Sequence, residues 1–163
     1  MTHSTNELTY YTGPQAAAFA EEMWDALDER HQRTLLYDLA PEVKRAAFVS
    51  AISRAEIVGV VRSDAGIVGF GWIVPLMPGS RCATAHFAFT QTVDDEATAA
   101  FWEDIKALNV YDSILVVQPQ SYRAARAYVQ RHGFVVACHV PGMLKMYGRK
   151  SPCTGVLLVK DLR

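Results

Sequence analysis

Four consecutive apolar residues, Ile114-Leu115-Val116-Val117, sit between two segments with helical patterning, and few folds accommodate that arrangement. Ser113–Val117 is too short for a buried helix. Its apolar run lacks polar alternation, so it reads as a strand covered on both faces. The preceding segment, Asp94–Leu108, carries Ala97, Ala100, Phe101, Ile105 and Leu108 at helical spacing. The following one, Tyr122–His132, is made of good helix formers and closes at Gly133, the usual glycine C-cap position. A strand flanked in sequence by two helices calls for a sheet with helices packed on its faces.

The N-terminal half supplies the rest of that sheet. Leu8–Tyr11 reads as a short strand and Thr12-Gly13-Pro14 as a turn. A helix is expected over Gln15–Asp28, with Ala16, Phe19, Ala20, Met23, Trp24 and Leu27 as one apolar stripe. A second helix is expected over Pro41–Ser53, facing inward through Val43, Ala46, Ala47 and Val49. Glu56–Arg62, Ile67–Met77 and Cys82–Thr92 are strands joined by short turns, hence an antiparallel meander. Phe134–Val140, a Pro141-Gly142 turn and a strand at Gly155–Leu162 complete the chain. The expected fold is α/β: one mixed sheet with helices on both faces, in a single domain over residues 1–163.

Charge and composition exclude several functions. Sixteen basic and 17 acidic residues leave a net charge of −1, so no basic surplus points to nucleic acid. No apolar run reaches the roughly 18–20 residues that span a bilayer. Met1–Glu7 lacks the charged and apolar regions of a signal peptide, so a cytoplasmic location is expected. Cys82, Cys138 and Cys153 are widely spaced, with no CxxC pair, and indicate neither a disulfide framework nor a metal site.

The order of elements resembles the GCN5-related N-acetyltransferases. Pro119–Phe134 (PQSYRAARAYVQRHGF) is similar to the family's penultimate helix, with Ala125, Gly133 and Phe134 on family positions and Tyr122 at the Asn-like start. Asp64–Phe70 (DAGIVGF) resembles the family's hairpin. The resemblance implies that the parallel strands Cys82–Thr92 and Ser113–Val117 splay apart. The pantetheine arm of acetyl-CoA, or another acyl-CoA, would then pair with the freed backbone like an added strand. Phe87 and Phe89 would offer backbone groups to it, and both residues serve equally as core aromatics.

Two departures stand out. The family grips the pyrophosphate with a glycine-rich, basic loop at a helix N-terminus. Here the stretch reads Gln91-Thr92-Val93-Asp94-Asp95-Glu96-Ala97-Thr98, without glycine or a basic residue. Thr92 with Asp95 fits a capping box, and acids in a first turn complement the helix dipole. For a phosphate, each nearby carboxylate is repulsive by about a few kcal/mol. Gln91, Thr92 and Thr98 remain as neutral donors. Secondly, the position of the family's proton-donating tyrosine is Val129. Tyr128 is adjacent, but one helical step turns a side chain by about 100°.

Candidate bases for an amine nucleophile are His86 first, then Glu56 and His139. His86 would point opposite to Phe87, and a structural role for it stands beside the catalytic one. His132 suits the end of its helix. Arg123, Arg126 and Arg131 are a solvated face or a replacement for the missing phosphate-loop charge. Trp24, Trp72 and Trp102 read as core or interface anchors, and Lys145–Lys150 as an excursion bordering an acceptor site or a homodimer contact. The resemblance implies acyl transfer to an amine of a small molecule or protein, with His86 and Tyr128 as catalytic candidates. The alternatives are a catalytically inactive binding or assembly module of the same fold, similar to phage-encoded relatives, and an unrelated α/β fold with the same element order.

Overall fold

The computed structural model describes residues 6–89 and 95–163. Seven strands form one sheet: β1 (Glu7–Tyr11), β2 (Ile57–Ser63), β3 (Gly66–Pro75), β4 (Cys82–Phe89), β5 (Ser113–Pro119), β6 (Val135–Leu144) and β7 (Cys153–Asp161). Their spatial order is β1-β2-β3-β4-β5-β7-β6, and only β4 and β5 run parallel. The mixed sheet expected from the sequence is present. Among the described residues, no helix is long and apolar enough to cross a membrane.

The expected Gln15–Asp28 helix is broken. The chain forms α1 (Gly13–Ala16), a 3₁₀ turn (Ala17–Phe19) and α2 (Ala20–Asp25), with Phe19 at φ −127° outside helical geometry. The apolar stripe still faces inward, with Ala16, Ala20, Met23, Trp24 and Leu27 buried. A close approach fixes the start. Gly13 donates its N–H to the Ala55 carbonyl at 3.0 Å, and a Cβ there would lie 2.4 Å from that oxygen.

An unexpected short helix, α3 (Glu29–Thr34), follows, capped by Asp28 accepting from the His31 N–H. α4 (Pro41–Arg54) buries Lys44, Phe48 and Ile52, whereas Val43 is 46% exposed and Ala46 is exposed. The inward face therefore runs at four-residue steps through a lysine, which the apolar pattern could not show. Lys44 Nζ donates to the carbonyls of Arg33 (2.7 Å) and Leu35 (2.9 Å), closing the end of α3. α5 (Asp95–Ala107) buries Thr98, Phe101, Trp102 and Ile105, so its inner face is rotated from the expected one; Leu108 lies outside and is 52% exposed. α6 (Arg123–Arg131) buries Val129.

Alternation along the strands divides the interior into two cores. Phe70 and Trp72 of β3 and Val58 and Val60 of β2 meet Trp24 and Phe48 on the α1–α4 face. A bulge between Val61 and Arg62 skips Val68, which puts Ile67 on the same face as Phe70. Ile73, Ala85, Ile114, Val116, Val156 and Leu158 meet Phe101, Trp102, Ile105 and Phe134 on the α5–α6 face. There the rings of Phe101 and Trp102 pack edge to face at 4.7 Å, and those of Trp102 and Phe134 at 5.0 Å. Each buried ring contributes on the order of 2 kcal/mol through its burial. At the C-terminal end, β6 continues through Pro141-Gly142 as a bulged strand rather than ending in a turn, and its residues are mostly exposed.

Candidate functional site

β4 and β5 are paired at only three positions: Cys82 with Ser113, Ala83 with Ile114 and Thr84 with Leu115. Beyond them the two strands part. β4 stays paired with β3 as far as Phe89 opposite Gly69. β5 stays paired with β7 as far as Pro119 opposite Gly155. Ala85–Phe89 and Val116–Pro119 therefore face each other across a slot with no ladder between them. Among the described residues, alternate backbone N–H and C=O groups on each facing edge lack a strand partner. The splay expected between these strands is present.

One wall carries a polar residue: Gln118 of β5 is 6% exposed, and its buried Nε2 amide has no hydrogen-bond partner among the described residues. A buried unpaired donor costs about 1–3 kcal/mol. Its place beside a free strand edge fits an extended ligand bearing amide carbonyls. The sequence held one signal for it: a single polar residue ending an otherwise apolar strand.

On the α5–α6 face the slot is bounded by Phe87 and Tyr128, whose rings lie 5.8 Å apart. Phe87 also stacks with Phe89 at 6.0 Å and meets Trp102 edge-on. Their side chains thus join the aromatic core while their backbone forms the slot's β4 edge. Tyr128 is turned toward the slot and not away from it. Val129, fully buried in the core, takes the inward position of α6 and so rotates Tyr128 to this flank. The Tyr128 hydroxyl donates to Thr98 Oγ1 at 2.6 Å. Burial is the main cause that pushes the phenol up to about 12, so it holds its proton at neutral pH.

Thr98 is fully buried and receives that bond, so its hydroxyl points into the α5–α6 packing rather than out toward a phosphate. Gln91, Thr92 and Asp94 lie outside the described residues. Asp95, in the first turn of α5, pairs with Arg131 at 3.5 Å, and His132 Nε2 lies 3.8 Å from the same oxygen. Arg131 also lies over the Tyr128 ring at 5.4 Å. Arg131 of α6 thus stands at the N-terminal turn of α5, while Arg123 and Arg126 occupy the opposite end of α6.

His86 projects to the other face. Its ring stacks on Trp72 at 4.9 Å and 14°, keeping solvent contact while the crowding of surrounding protein lowers its pKa below the ordinary 6.5. His86 and Tyr128 therefore flank the slot from opposite sides of the sheet. Glu56 is not at the slot: it accepts the Tyr111 hydroxyl, level with the paired end of β4 and β5. His139 is on the exposed edge strand β6.

Tyr122 precedes α6 and packs edge-on against Tyr37 at 6.1 Å, with Ala125 half-buried one turn on. The loop after β6 joins this wall, since Tyr147 donates its N–H to the Tyr37 carbonyl at 2.9 Å. Lys44 is the anchor for it, because the carbonyls it holds lead directly into Leu36 and Tyr37.

No protein-family model matches the chain, and no curated protein matches it by sequence. Solved structures do match. A ribosomal-protein-S5-alanine acetyltransferase from Vibrio fischeri superposes with TM-score 0.70 at 10% identity, covering 99% of this chain and 95% of that one. An acetyltransferase of the GNAT family from Streptococcus pneumoniae gives 0.64 at 14% identity, over 96% and 99%. A Salmonella typhimurium protein assigned as an acetyltransferase, solved with its cofactor acetyl-CoA, gives 0.67 at 9% identity, over 98% and 95%. At such identities the likeness concerns architecture, and over nearly its whole length this chain has the fold of the GCN5-related N-acetyltransferases.

Proposed function

We propose that the protein is an N-acyltransferase that moves an acetyl or similar acyl group from acyl-CoA to an amine. The slot between β4 and β5 carries this reading. Its free edge at Ala85–Phe89 and the unpaired Gln118 amide would hold the pantetheine arm, which brings an activated thioester when bound. The solved neighbours of the same fold support it, one of them with acetyl-CoA.

In this reading the two faces divide the proton work. His86, neutral at physiological pH because its environment lowers its pKa, takes the proton of the attacking amine. Tyr128, whose phenol stays protonated, supplies a proton to the departing sulfur. One N–C bond forms, one C–S bond breaks, and one proton leaves and one arrives. Tyr122 and Ala125 border the arm at the start of α6. Phosphate binding is expected to be weak until Arg131 is released from Asp95. The same reading places the protein in the cytoplasm, where its three free cysteines would stay reduced.

The test is calorimetric titration with coenzyme A together with a thiol-release assay on acetyl-CoA and an amine panel. Micromolar binding and amine-dependent release are expected. No binding at millimolar coenzyme A would remove the transferase reading and leave a non-catalytic module of the same fold.

A further inference from the structure

An open depression of about 450 Å³ lies where β5 ends and the chain turns into α6. It gathers Arg123 and Arg126 from α6 and Arg149 from the β6–β7 loop, with Gln120, Ser121 and Thr154 between them. Among the described residues, no carboxylate lines it. Among the described residues, none of these three arginines makes an ion pair. Arg33, Arg45, Arg62, Arg81, Arg131 and Arg163 each hold a carboxylate within 3.5 Å, whereas Arg30 and Arg54, outside the depression, do not. The first turn of α6 has no acidic residue and Tyr122 gives it no side-chain cap, so the positive end of the helix adds to the field. Three guanidinium groups gathered in one concavity repel one another unless an anion joins them.

The depression opens at the same end of the sheet as the slot. Gln120 directly follows Pro119, the last residue of the slot's β5 wall, and donates its N–H to the Thr154 carbonyl at 3.0 Å. β7, which carries Thr154, is one strand spacing of about 4.8 Å beyond β5. Gln120 lies three residues, about 10 Å, beyond Val117, which the register sets level with His86, so a short acceptor and the arginine side chains reaching back can together join the slot to the depression.

We propose that this depression binds a carboxylate or phosphate of the acceptor, so that the amine acylated belongs to an acidic small molecule, such as an amino acid or an aminoalkyl phosphate. A polyamine would meet three like charges. The assignment rests on the transferase reading of the slot and adds to it the charge of the substrate.

The exposed arginines test it through Arg123→Gln/Arg149→Gln; Arg126 is kept because its Nη1 donates to the Gln120 carbonyl at 3.1 Å. Three measurements are made on the wild type and this variant. Thermal melting with inorganic phosphate, without coenzyme A, should show protection that the variant loses. Thiol release should show acidic amines preferred over neutral ones, with the preference falling about tenfold in the variant. Titration with coenzyme A and 3′-dephospho-coenzyme A should give affinities that do not separate the two proteins. Polyamines as the best acceptors, or an unaltered preference in the variant, overturn the proposal. A variant that loses affinity for coenzyme A but not for its dephospho form also overturns it, because the depression then holds the cofactor's own phosphate. Failure of the wild type to bind coenzyme A removes the transferase reading and the acceptor assignment together. Normal coenzyme A binding without phosphate protection or acidic preference removes the acceptor assignment alone.

Discussion

The Tyr128 hydroxyl donates to Thr98 Oγ1 at 2.6 Å, which fixes the ring of a half-buried tyrosine beside the slot between β4 and β5. Tyr128→Phe keeps that ring against Phe87 and removes only the proton. Turnover should fall about a hundredfold, within the range for loss of a general acid. Coenzyme A affinity should hold, and stability should drop by about 1 kcal/mol for the lost bond. Thr98→Val should raise the Tyr128 pKa further, since the Thr98 hydroxyl can turn and donate to the phenolate once the proton has left. Steady-state kinetics, calorimetry and an ultraviolet phenol titration check the set. An unaltered kcat in Tyr128→Phe would take Tyr128 out of the chemistry.

The histidines give the pH dependence. Desolvation by the protein packed around them holds both His86, which keeps solvent contact, and His132 below the ordinary 6.5. Near pH 6 the folded chain therefore binds fewer protons than the unfolded chain, and stability rises with pH there. Their contribution is fully present above pH 6.5 and is lost as pH falls through the lowered folded values. Melting temperatures followed from pH 7.5 to pH 5 should decline, and His86→Gln should remove part of the decline. The acid limb of kcat/KM should lie below pH 6.5 and disappear in the same variant.

Asp95→Asn should tighten coenzyme A binding. The substitution frees Arg131, 3.5 Å away, and removes a negative charge from the first turn of α5. A three- to tenfold gain at low salt is expected, shrinking as ionic strength rises, because both partners are well exposed. Titration at 20 and 300 mM salt checks it. No gain at low salt would place the phosphates elsewhere.

Lys44→Met tests the wall of the site. The thioether keeps most of the buried stem but leaves the carbonyls of Arg33 and Leu35 without their donor. A loss of roughly 1–3 kcal/mol is expected, or a melting-temperature drop of about 3–8 °C in a chain of this size. Amide exchange over Leu35–Tyr37 should quicken with it.

The strands, α5 and α6 were legible because their apolar residues recur at simple periods and Gly133 marks a helix end. The slot was legible only through resemblance, because pairing that stops after Thr84 leaves no mark on composition. The N-terminal helices were legible in place but not in detail: the break in the first and the inward face of α4 have local causes. Phe19 leaves helical geometry without a proline or glycine to announce it, and α4 turns a lysine inward whose three carbonyl partners come from a different element. The arginine depression needed coordinates, since Arg149 is 23 residues from Arg126 and only the β6–β7 connection brings them together.

Among the described residues, three pairs, Cys82–Ser113 to Thr84–Leu115, form the ladder joining the first four strands to the last three. So short a seam can serve as a hinge, because widening the gap above it breaks no backbone bond. In the proposed acyl transfer, the room for the donor would then be set by the stiffness of this seam and by the Phe87–Tyr128 ring contact that bridges the gap.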